Sequence, residues 1–249
     1  MSHNFRSKLK QGELLISPMV TLSCPETAEI LSEAGYDWLF LDAEHSTYAA
    51  SDLQTIIGRV AHTLPCLVRL AAPDEVLIKK ALDLGAAGII APQVNTPELA
   101  EKIDSYAKYS PQGTRGVGLG RAHGYGFAFD DYLSSANDNT TVVVQAEHID
   151  AVNNIEQIVN VSGVDAVLIG PYDLSASLKK IGEIDHPDVV NAIQHVTEVC
   201  QKQNMPLGIF GVTVDAIKPY IEKGFTLITV GVDTVMLGQA ARKMLGQLK

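Results

Sequence analysis

The sequence predicts a closed (β/α)8 barrel of the TIM type, and three observations support that prediction. Short apolar runs alternate with longer amphipathic segments along the chain, and eight such runs can be counted. No stretch with the composition of a linker interrupts the alternation. The chain has 249 residues, and barrels of this kind typically have about 250. The alternation favours a barrel over an open sheet, so residues 1–249 are expected to form one domain.

The predicted strands are brief, rich in β-branched or bulky residues, and apolar without alternation. This pattern is typical of parallel strands that are buried on both faces. In chain order they are LLISPMV (14–20), WLFLD (38–42), CLVRL (66–70), GIIAP (88–92), TVVVQAE (141–147), DAVLIG (165–170), PLGIF (206–210) and LITVG (227–231).

Helical patterns fill the gaps between these strands. The segment PETAEILSEAG has Pro25 in its first turn and stops at Gly35, which is a typical pair of helix boundaries. Another helix, TPELAEKIDSYAKY, opens after Thr96. In VDAIKPYIEKG, Pro219 is expected to kink or shorten the helix.

One glycine-rich loop breaks this alternation. It precedes the fifth strand and contains six glycines between Gly113 and Gly126. Its GxGxG does not follow a strand directly, so it does not predict a dinucleotide-binding fold. Long loops in compact barrels are uncommon and often functional. We therefore expect Arg115, Arg121 and His123 to lie at the rim of the active site.

Composition excludes several classes of partner. The formal net charge of -10 opposes binding to nucleic acid or to an anionic membrane, and no basic cluster offsets it. No apolar stretch approaches the length of a membrane span, and the N-terminal segment lacks the apolar core of a signal peptide. The three cysteines are far apart and are expected to be reduced packing residues. The sequence thus predicts a soluble, cytoplasmic protein without nucleic-acid or membrane partners.

Polar residues follow the predicted strands, where barrel enzymes place their catalytic groups. Because all strand exits meet at one end of a barrel, these residues are expected to converge. They are Asp42, Glu44 and His45 after strand two, Arg69 after strand three, Gln93 after strand four, Gln145 and Glu147 after strand five, Gly170, Tyr172 and Asp173 after strand six, and Gly208, Gly211, Gly231 and Asp233 after the last two strands.

Structural roles compete with catalytic ones at several of these positions. Arg69 lies in an apolar run and can serve in a buried salt bridge. Asp42 can cap the following loop, or it can orient the imidazole of His45 three residues later. Glu147 and Asp173 can each cap a following helix. The convergence of all these residues on one end of the barrel favours a catalytic site.

Glu147 and Asp173 follow consecutive strands, so their carboxylates can share one divalent ion. Two carboxylates without cysteine or clustered histidine favour Mg²⁺ or Mn²⁺ over structural zinc. Such an ion leaves positions open for a chelating 2-oxo acid and polarises its carbonyl. Arg69 can stabilise the enolate that forms. No lysine stands at a strand exit, which argues against a Schiff-base mechanism.

Several motifs resemble, in this order, those of the HpcH/HpaI aldolase family of class II pyruvate aldolases. They are WLFLDAEHS, LVRL, APQVNTPELAEKI, SPQGTRGVG, VVVQAE and GVDAVLIGPYDLSASL. The resemblance covers roughly residues 10–240. It implies a (β/α)8 barrel that reversibly cleaves a 4-hydroxy-2-oxo acid to pyruvate and an aldehyde through a metal-stabilised enolate. The metal is expected to be Mg²⁺ or Mn²⁺, with Co²⁺ or Zn²⁺ as further options.

The resemblance also implies roles for individual residues. Glu147 and Asp173 would hold the metal, and Arg69 would bind the enolate oxygen. His45, paired with Asp42, would transfer protons through a metal-bound water. The substrate site would be completed by the pyruvate-binding backbone at Gly170, Pro171, Tyr172 and Asp173, by Gln145, and by Asp83 from a neighbouring subunit.

The resemblance implies a homo-oligomer, hexameric or dimeric, in which the C-terminal helix (about 234–246) can be exchanged between subunits. Departures from the family pattern leave the aldehyde open: Tyr172 replaces a small residue, Ala43 replaces a glycine, and the loop reads GLGRAHGYG. Tyr172 can narrow the pocket, offer its hydroxyl to the substrate or face outwards. A CoA-thioester lyase of the citryl or malyl kind, and a non-catalytic barrel that binds a 2-oxo acid, are the alternative functions.

Overall fold

The computed structural model describes residues 5–249, so the first four residues of the predicted domain lie outside it. Eight parallel strands form a closed barrel in the order β1 to β8, and β8 pairs with β1. The predicted (β/α)8 fold is therefore confirmed. The strands are β1 Leu15–Val20, β2 Leu39–Asp42, β3 Cys66–Arg69, β4 Gly88–Ala91, β5 Thr141–Ala146, β6 Ala166–Ile169, β7 Leu207–Gly211 and β8 Leu227–Val232.

Each predicted strand is found within about two residues of its expected bounds, because continuous apolar runs fit a sheet buried on both faces.

The helices are α1 Phe5–Lys10, α2 Pro25–Glu33, α3 Ala50–Val60, α4 Glu75–Asp83, α5 Pro97–Ala107, α6 Phe129–Asn139, α7 Ile149–Asn153, α8 Ile155–Ile158, α9 Pro171–Ser177, α10 Pro187–Lys202, α11 Val214–Glu222 and α12 Asp233–Gly246.

Local sequence signals set several helix boundaries. Pro25 begins α2, and the Thr96 hydroxyl accepts a hydrogen bond from the amide of Leu99 at the start of α5. The helix α11 continues through Pro219, which lies within its nine residues. Pro219 has no N–H to donate to the carbonyl of Asp215, so this helix lacks one backbone hydrogen bond without being shortened at that point.

Apolar side chains pack in two layers. The larger layer fills the space between the sheet and the helices, and it includes the buried thiols of Cys66 and Cys200. The smaller layer lies inside the barrel and includes Trp38 and Phe40. The helix α1 places Phe5 against Trp38, with ring centroids 5.7 Å apart, at the end where the strands begin. The interior is thus packed from that end, and the open end is the one where the strands terminate.

The C-terminal helix α12 differs from the other helices in its burial. Only Asp233, at its first position, is buried, and every residue from 237 to 249 is exposed. Leu237, Met244 and Leu248 have 65%, 69% and 85% of their surface exposed. Leu237 and Met244 are seven positions apart and so share one face of the helix, and Leu248 follows just beyond its end. Among residues 5–249, none of the helices has both the length and the apolarity needed to cross a membrane.

Candidate active site

A pocket of about 360 Å³ lies at the end of the barrel where the strands terminate. Most of the side chains predicted for the site line it, because parallel strands bring their carboxyl ends to the same edge. These are Asp42, His45, Arg69, Gln145, Gly170, Pro171, Tyr172 and Asp173. The sequence therefore predicted the convergence of strands two, three, five and six.

Arg69 lines this pocket, and two carboxylates hold its guanidinium in place. Its Nε and Nη2 atoms each donate to Asp42 at 2.8 Å, and its Nη1 lies 3.3 Å from a carboxylate oxygen of Glu44. Asp42 and Arg69 are both buried. Arg69 also lies over the ring of Phe40, at 5.4 Å from the centroid. The arginine is thus both half of a buried salt bridge and a lining residue of the pocket.

The predicted pairing of Asp42 with the imidazole of His45 is wrong. The carboxylate of Asp42 is taken by Arg69, and the remaining contact to His45 is its backbone N–H, at 3.3 Å. The imidazole Nε2 lies 3.8 Å from Glu44 instead. Its side chain is 65% exposed, so it stands at the mouth of the pocket. A bidentate guanidinium satisfies a carboxylate better than one imidazole nitrogen, which explains the difference.

Glu147 is a buried carboxylate that accepts hydrogen bonds from its own strand, β5, and from the residues that follow β4. Its Oε1 accepts a hydrogen bond from the backbone N–H of Gln93 at 2.8 Å, and its Oε2 accepts one from the side-chain Nε2 of Gln145 at 2.6 Å. Gln93 has a positive φ of 53°, an unusual conformation for this residue type that directs its N–H at the carboxylate. The Oε1 atom of Gln145 is buried without a hydrogen-bond partner. Strand four thus contributes a backbone group, which side-chain patterns do not reveal.

Burial above all, together with the negative charges of Glu44 and Asp173, raises the pKa of Glu147 to about 7, although the hydrogen bond from Gln93 opposes the change. Burial likewise raises the pKa of Glu44, although the charge of Arg69 opposes that change. The carboxylates of Glu44, Glu147 and Asp173 therefore lie near one another, and Arg69, the one arginine among the described residues that line the pocket, is already paired with Asp42. A divalent cation between Glu147 and Asp173 would relieve this repulsion, so the residues present fit a hard metal ion.

Gly170 keeps the space beside Glu147 free. A Cβ atom at this position would lie 2.8 Å from Oε2 and 2.9 Å from Cβ of Glu147. Its φ is -104°, which any residue adopts, so the requirement for glycine is one of space. The next residue, Pro171, begins α9 and has no N–H, and the amides of Tyr172 and Asp173 therefore form the first donors of that helix.

The structure adds residues that the sequence analysis did not single out. Four apolar side chains cover the other wall of the pocket: Met19, Phe210, Val212 and Val232. Thr21 also lines it, and its hydroxyl donates to the buried Asp233 at 2.7 Å. These residues belong to or follow β1, β7 and β8, where the sequence contains no ionisable side chain within the strands. Their position at a strand end is the signal that could have identified them as candidates.

Comparisons with known proteins place this architecture in a family. The model of the HpcH/HpaI aldolase/citrate lyase family matches residues 19–240. This chain belongs to that family. It is similar to the 2-dehydro-3,6-dideoxy-6-sulfogluconate aldolase of Pseudomonas putida, with 37% identity over 97% of this chain and 95% of the relative.

Two further similarities extend over nearly the full chain. The 4-hydroxy-2-oxo-heptane-1,7-dioate aldolase of Escherichia coli is 36% identical over 98% of this chain and 94% of its own. A solved HpcH/HpaI family protein from Burkholderia cenocepacia has a TM-score of 0.95 at 34% identity and covers 99% of both chains. The family name and those of the relatives make this chain an aldolase, a carbon–carbon lyase.

The glycine-rich loop of this HpcH/HpaI aldolase lies away from the pocket of its own chain, so its predicted place at the rim is wrong for that pocket. Arg115 Nη2 donates to Asp83 at 2.7 Å, and Arg121 Nη1 donates to the carbonyl of Leu84 at 3.0 Å. Both arginines thus meet the C-terminal end of α4, where unpaired carbonyls and the helix dipole favour cations.

His123 and Asp83 share this location. The His123 ring is buried, and its Nε2 lies 3.0 Å from the hydroxyl of Tyr109. Asp83 does not line the pocket of its own chain, and its side chain keeps 28% exposure. Its role across a subunit boundary therefore stays a prediction.

Proposed function

We propose that this protein reversibly cleaves a 4-hydroxy-2-oxo acid to pyruvate and an aldehyde. The observation that carries the proposal is that Arg69 and Asp173 line one pocket, while the buried carboxylate of Glu147 lies directly behind its wall, against Gly170. The names of the relatives support the reaction type, because both describe aldolases of 2-oxo or 2-dehydro acids. The substrates are small molecules, and the pocket volume of about 360 Å³ suits molecules of that size.

Glu147 and Asp173 are proposed to hold Mg²⁺ or Mn²⁺. The bound ion would supply Lewis-acid polarisation of the 2-oxo acid. Glu147 is well suited to this role, since its two oxygens are already oriented by the amide of Gln93 and the side chain of Gln145. The unpartnered Oε1 of Gln145 offers one acceptor to a hydroxyl or water at the same place.

The pyruvate carboxylate is proposed to rest on the backbone amides of Tyr172 and Asp173, at the start of α9. Arg69 then faces the C2 oxygen, where negative charge develops as the enolate forms. Its salt bridge to Asp42 fixes the guanidinium before substrate arrives, so little reorganisation is needed. Arg69 thereby acts on the charge that distinguishes the transition state from the ground state.

His45 is proposed to exchange protons with the substrate at the mouth of the pocket. In the cleavage direction the C4 hydroxyl loses its proton, the C3–C4 bond breaks, and the electron pair moves into the enolate. The enolate is then protonated at C3 to give pyruvate. The exposed imidazole near Glu44 is placed to accept and return such a proton.

The test follows exchange of the C3 protons of pyruvate in heavy water by NMR. We expect exchange with Mg²⁺ or Mn²⁺ and loss of exchange with EDTA, while Co²⁺ and Zn²⁺ show whether other ions suffice. This assay reports enolate formation without knowledge of the aldehyde. Absence of exchange under every condition would contradict the proposal and favour a CoA ester as donor or a binding protein without turnover.

A further inference from the structure

We propose that the aldehyde acceptor is uncharged, with a short apolar or hydroxyl-bearing chain. This inference rests on the proposed function and specifies the substrate class of the same pocket. The pocket has a charged wall and an apolar wall. The charged wall accommodates pyruvate, and the apolar wall accommodates the rest of the aldehyde.

The charged wall comes from the ends of β2, β3, β5 and β6. It carries Arg69, Asp42 and Asp173, and Glu147 lies behind it against Gly170. Pyruvate, which bears a carboxylate and a keto oxygen, occupies this wall. The bond to the aldehyde forms at C3 of pyruvate, so the rest of the aldehyde must extend away from these groups.

The apolar wall comes from β7, β8 and β1, which are neighbours in the closed barrel. Met19, Phe210, Val212 and Val232 line it. Removing an ionised carboxylate from water onto such side chains is costly unless a partner compensates the lost hydration. An uncharged chain instead gains from burying its apolar surface there.

The polar atoms near this wall do not provide an anion with donors. The hydroxyl of Thr21 donates its proton to Asp233, and the backbone amides of Thr21 and Leu22 both donate to the same carboxylate at 2.9 Å. Thr21 therefore presents only acceptor lone pairs to the pocket. Such an oxygen repels a carboxylate and suits a substrate hydroxyl.

No free cation compensates for this. Among the pocket-lining residues of the described chain, Arg69 is the only arginine or lysine. Its Nε and Nη2 atoms bind Asp42, and its Nη1 faces Glu44. The nearby carboxylates of Glu147 and Asp173 add further negative charge. Among the described pocket residues, a second anionic group on the acceptor would therefore find no arginine or lysine other than Arg69, which already faces two carboxylates and the proposed enolate oxygen.

The experiment compares two four-carbon aldehydes that differ in one charge, butanal and 4-oxobutanoate, each with pyruvate and Mn²⁺. We expect kcat/KM for butanal to exceed that for 4-oxobutanoate by about tenfold or more. Equal values, or a preference for 4-oxobutanoate, with metal-dependent pyruvate exchange intact, would overturn the inference alone. Absence of pyruvate exchange would overturn the proposed function and the inference with it.

A pair of variants at Val212 tests whether the lack of a positive charge at the apolar wall is what disfavours a charged acceptor. This residue is 41% exposed at the edge of the apolar wall, so a long side chain can be accommodated. Val212→Lys adds a cation, and Val212→Gln adds a polar chain without charge. The ratio of kcat/KM for 4-oxobutanoate to kcat/KM for butanal should be at least about tenfold higher in Val212→Lys than in Val212→Gln. An equal ratio in the two variants would show that charge at this wall does not select the acceptor.

Discussion

Arg69 and Asp42 form a bidentate salt bridge, with both N–O distances 2.8 Å, between two neighbouring strands of the barrel. The two residues pair in register, so the sheet itself sets their separation. One interaction thus holds β2 to β3 at the pocket and orients the guanidinium that faces it.

Asp42→Asn should lower both stability and activity. The variant leaves the buried Arg69 charge without its main partner, which costs about 3–5 kcal/mol. We expect the urea midpoint to fall and metal-dependent pyruvate exchange to slow. Asp215→Asn, at an exposed carboxylate in the first turn of α11, is the matched control. A midpoint equal to that of the control would show that the salt bridge contributes nothing to stability.

Gly170→Ala should disturb Glu147 without disturbing the backbone. The added methyl group would lie 2.8 Å from the Oε2 atom, so the carboxylate must shift. We expect weaker Mn²⁺ binding, measured by calorimetry, and slower pyruvate exchange. Gly58→Ala is the control, because the nearest atom to its new Cβ lies 3.6 Å away and the position is helical. Unchanged Mn²⁺ affinity in Gly170→Ala would contradict the proposed role of Glu147.

His123→Gln should reduce the dependence of stability on pH. Burial lowers the pKa of His123, and the charge of Arg115 lowers it further. Below a pH of about 6.5 the unfolded chain binds a proton that the folded chain resists, so stability falls as the pH falls. We expect the drop in urea midpoint from pH 7.5 to pH 5.5 to be smaller in the variant than in the parent. The exposed His62→Gln should retain the parental drop.

The C-terminal helix should mediate assembly. Leu237 and Met244 on α12, and Leu248 just beyond its end, are exposed apolar side chains that the barrel does not cover. We expect the parent to sediment as an oligomer, well above the chain mass of 26.8 kDa, and Leu237→Glu to shift it towards the monomer. Gln239→Glu adds the same charge on the opposite side of the helix and should leave the oligomer intact. A monomeric parent would contradict the predicted exchange of residues 234–246.

Much of the barrel was predictable because each strand is encoded locally, as a short apolar run such as 227–231. The site was predictable to the extent that strand ends converge. What remained hidden depends on contacts between distant segments. The Asp42 carboxylate binds Arg69 on the next strand and not the imidazole of the nearby His45. The loop arginines, Arg115 and Arg121, bind groups at the end of α4. Sequence spacing does not reveal which of two partners a charged group will bind.

Glu147→Gln should abolish metal-dependent chemistry while preserving the fold. In the parent, the Gln145 Nε2 donates to Glu147 and its Oε1 has no partner. If the Gln145 amide rotates by half a turn, its Oε1 can accept from the new NH₂ group at position 147, while the single side-chain oxygen at that position still accepts from the backbone N–H of Gln93. The variant therefore keeps its hydrogen bonds and loses only the negative charge. We expect an unchanged circular dichroism spectrum and urea midpoint, together with loss of pyruvate exchange that added Mn²⁺ does not restore. Exchange at the parental rate would show that this carboxylate does not hold the metal.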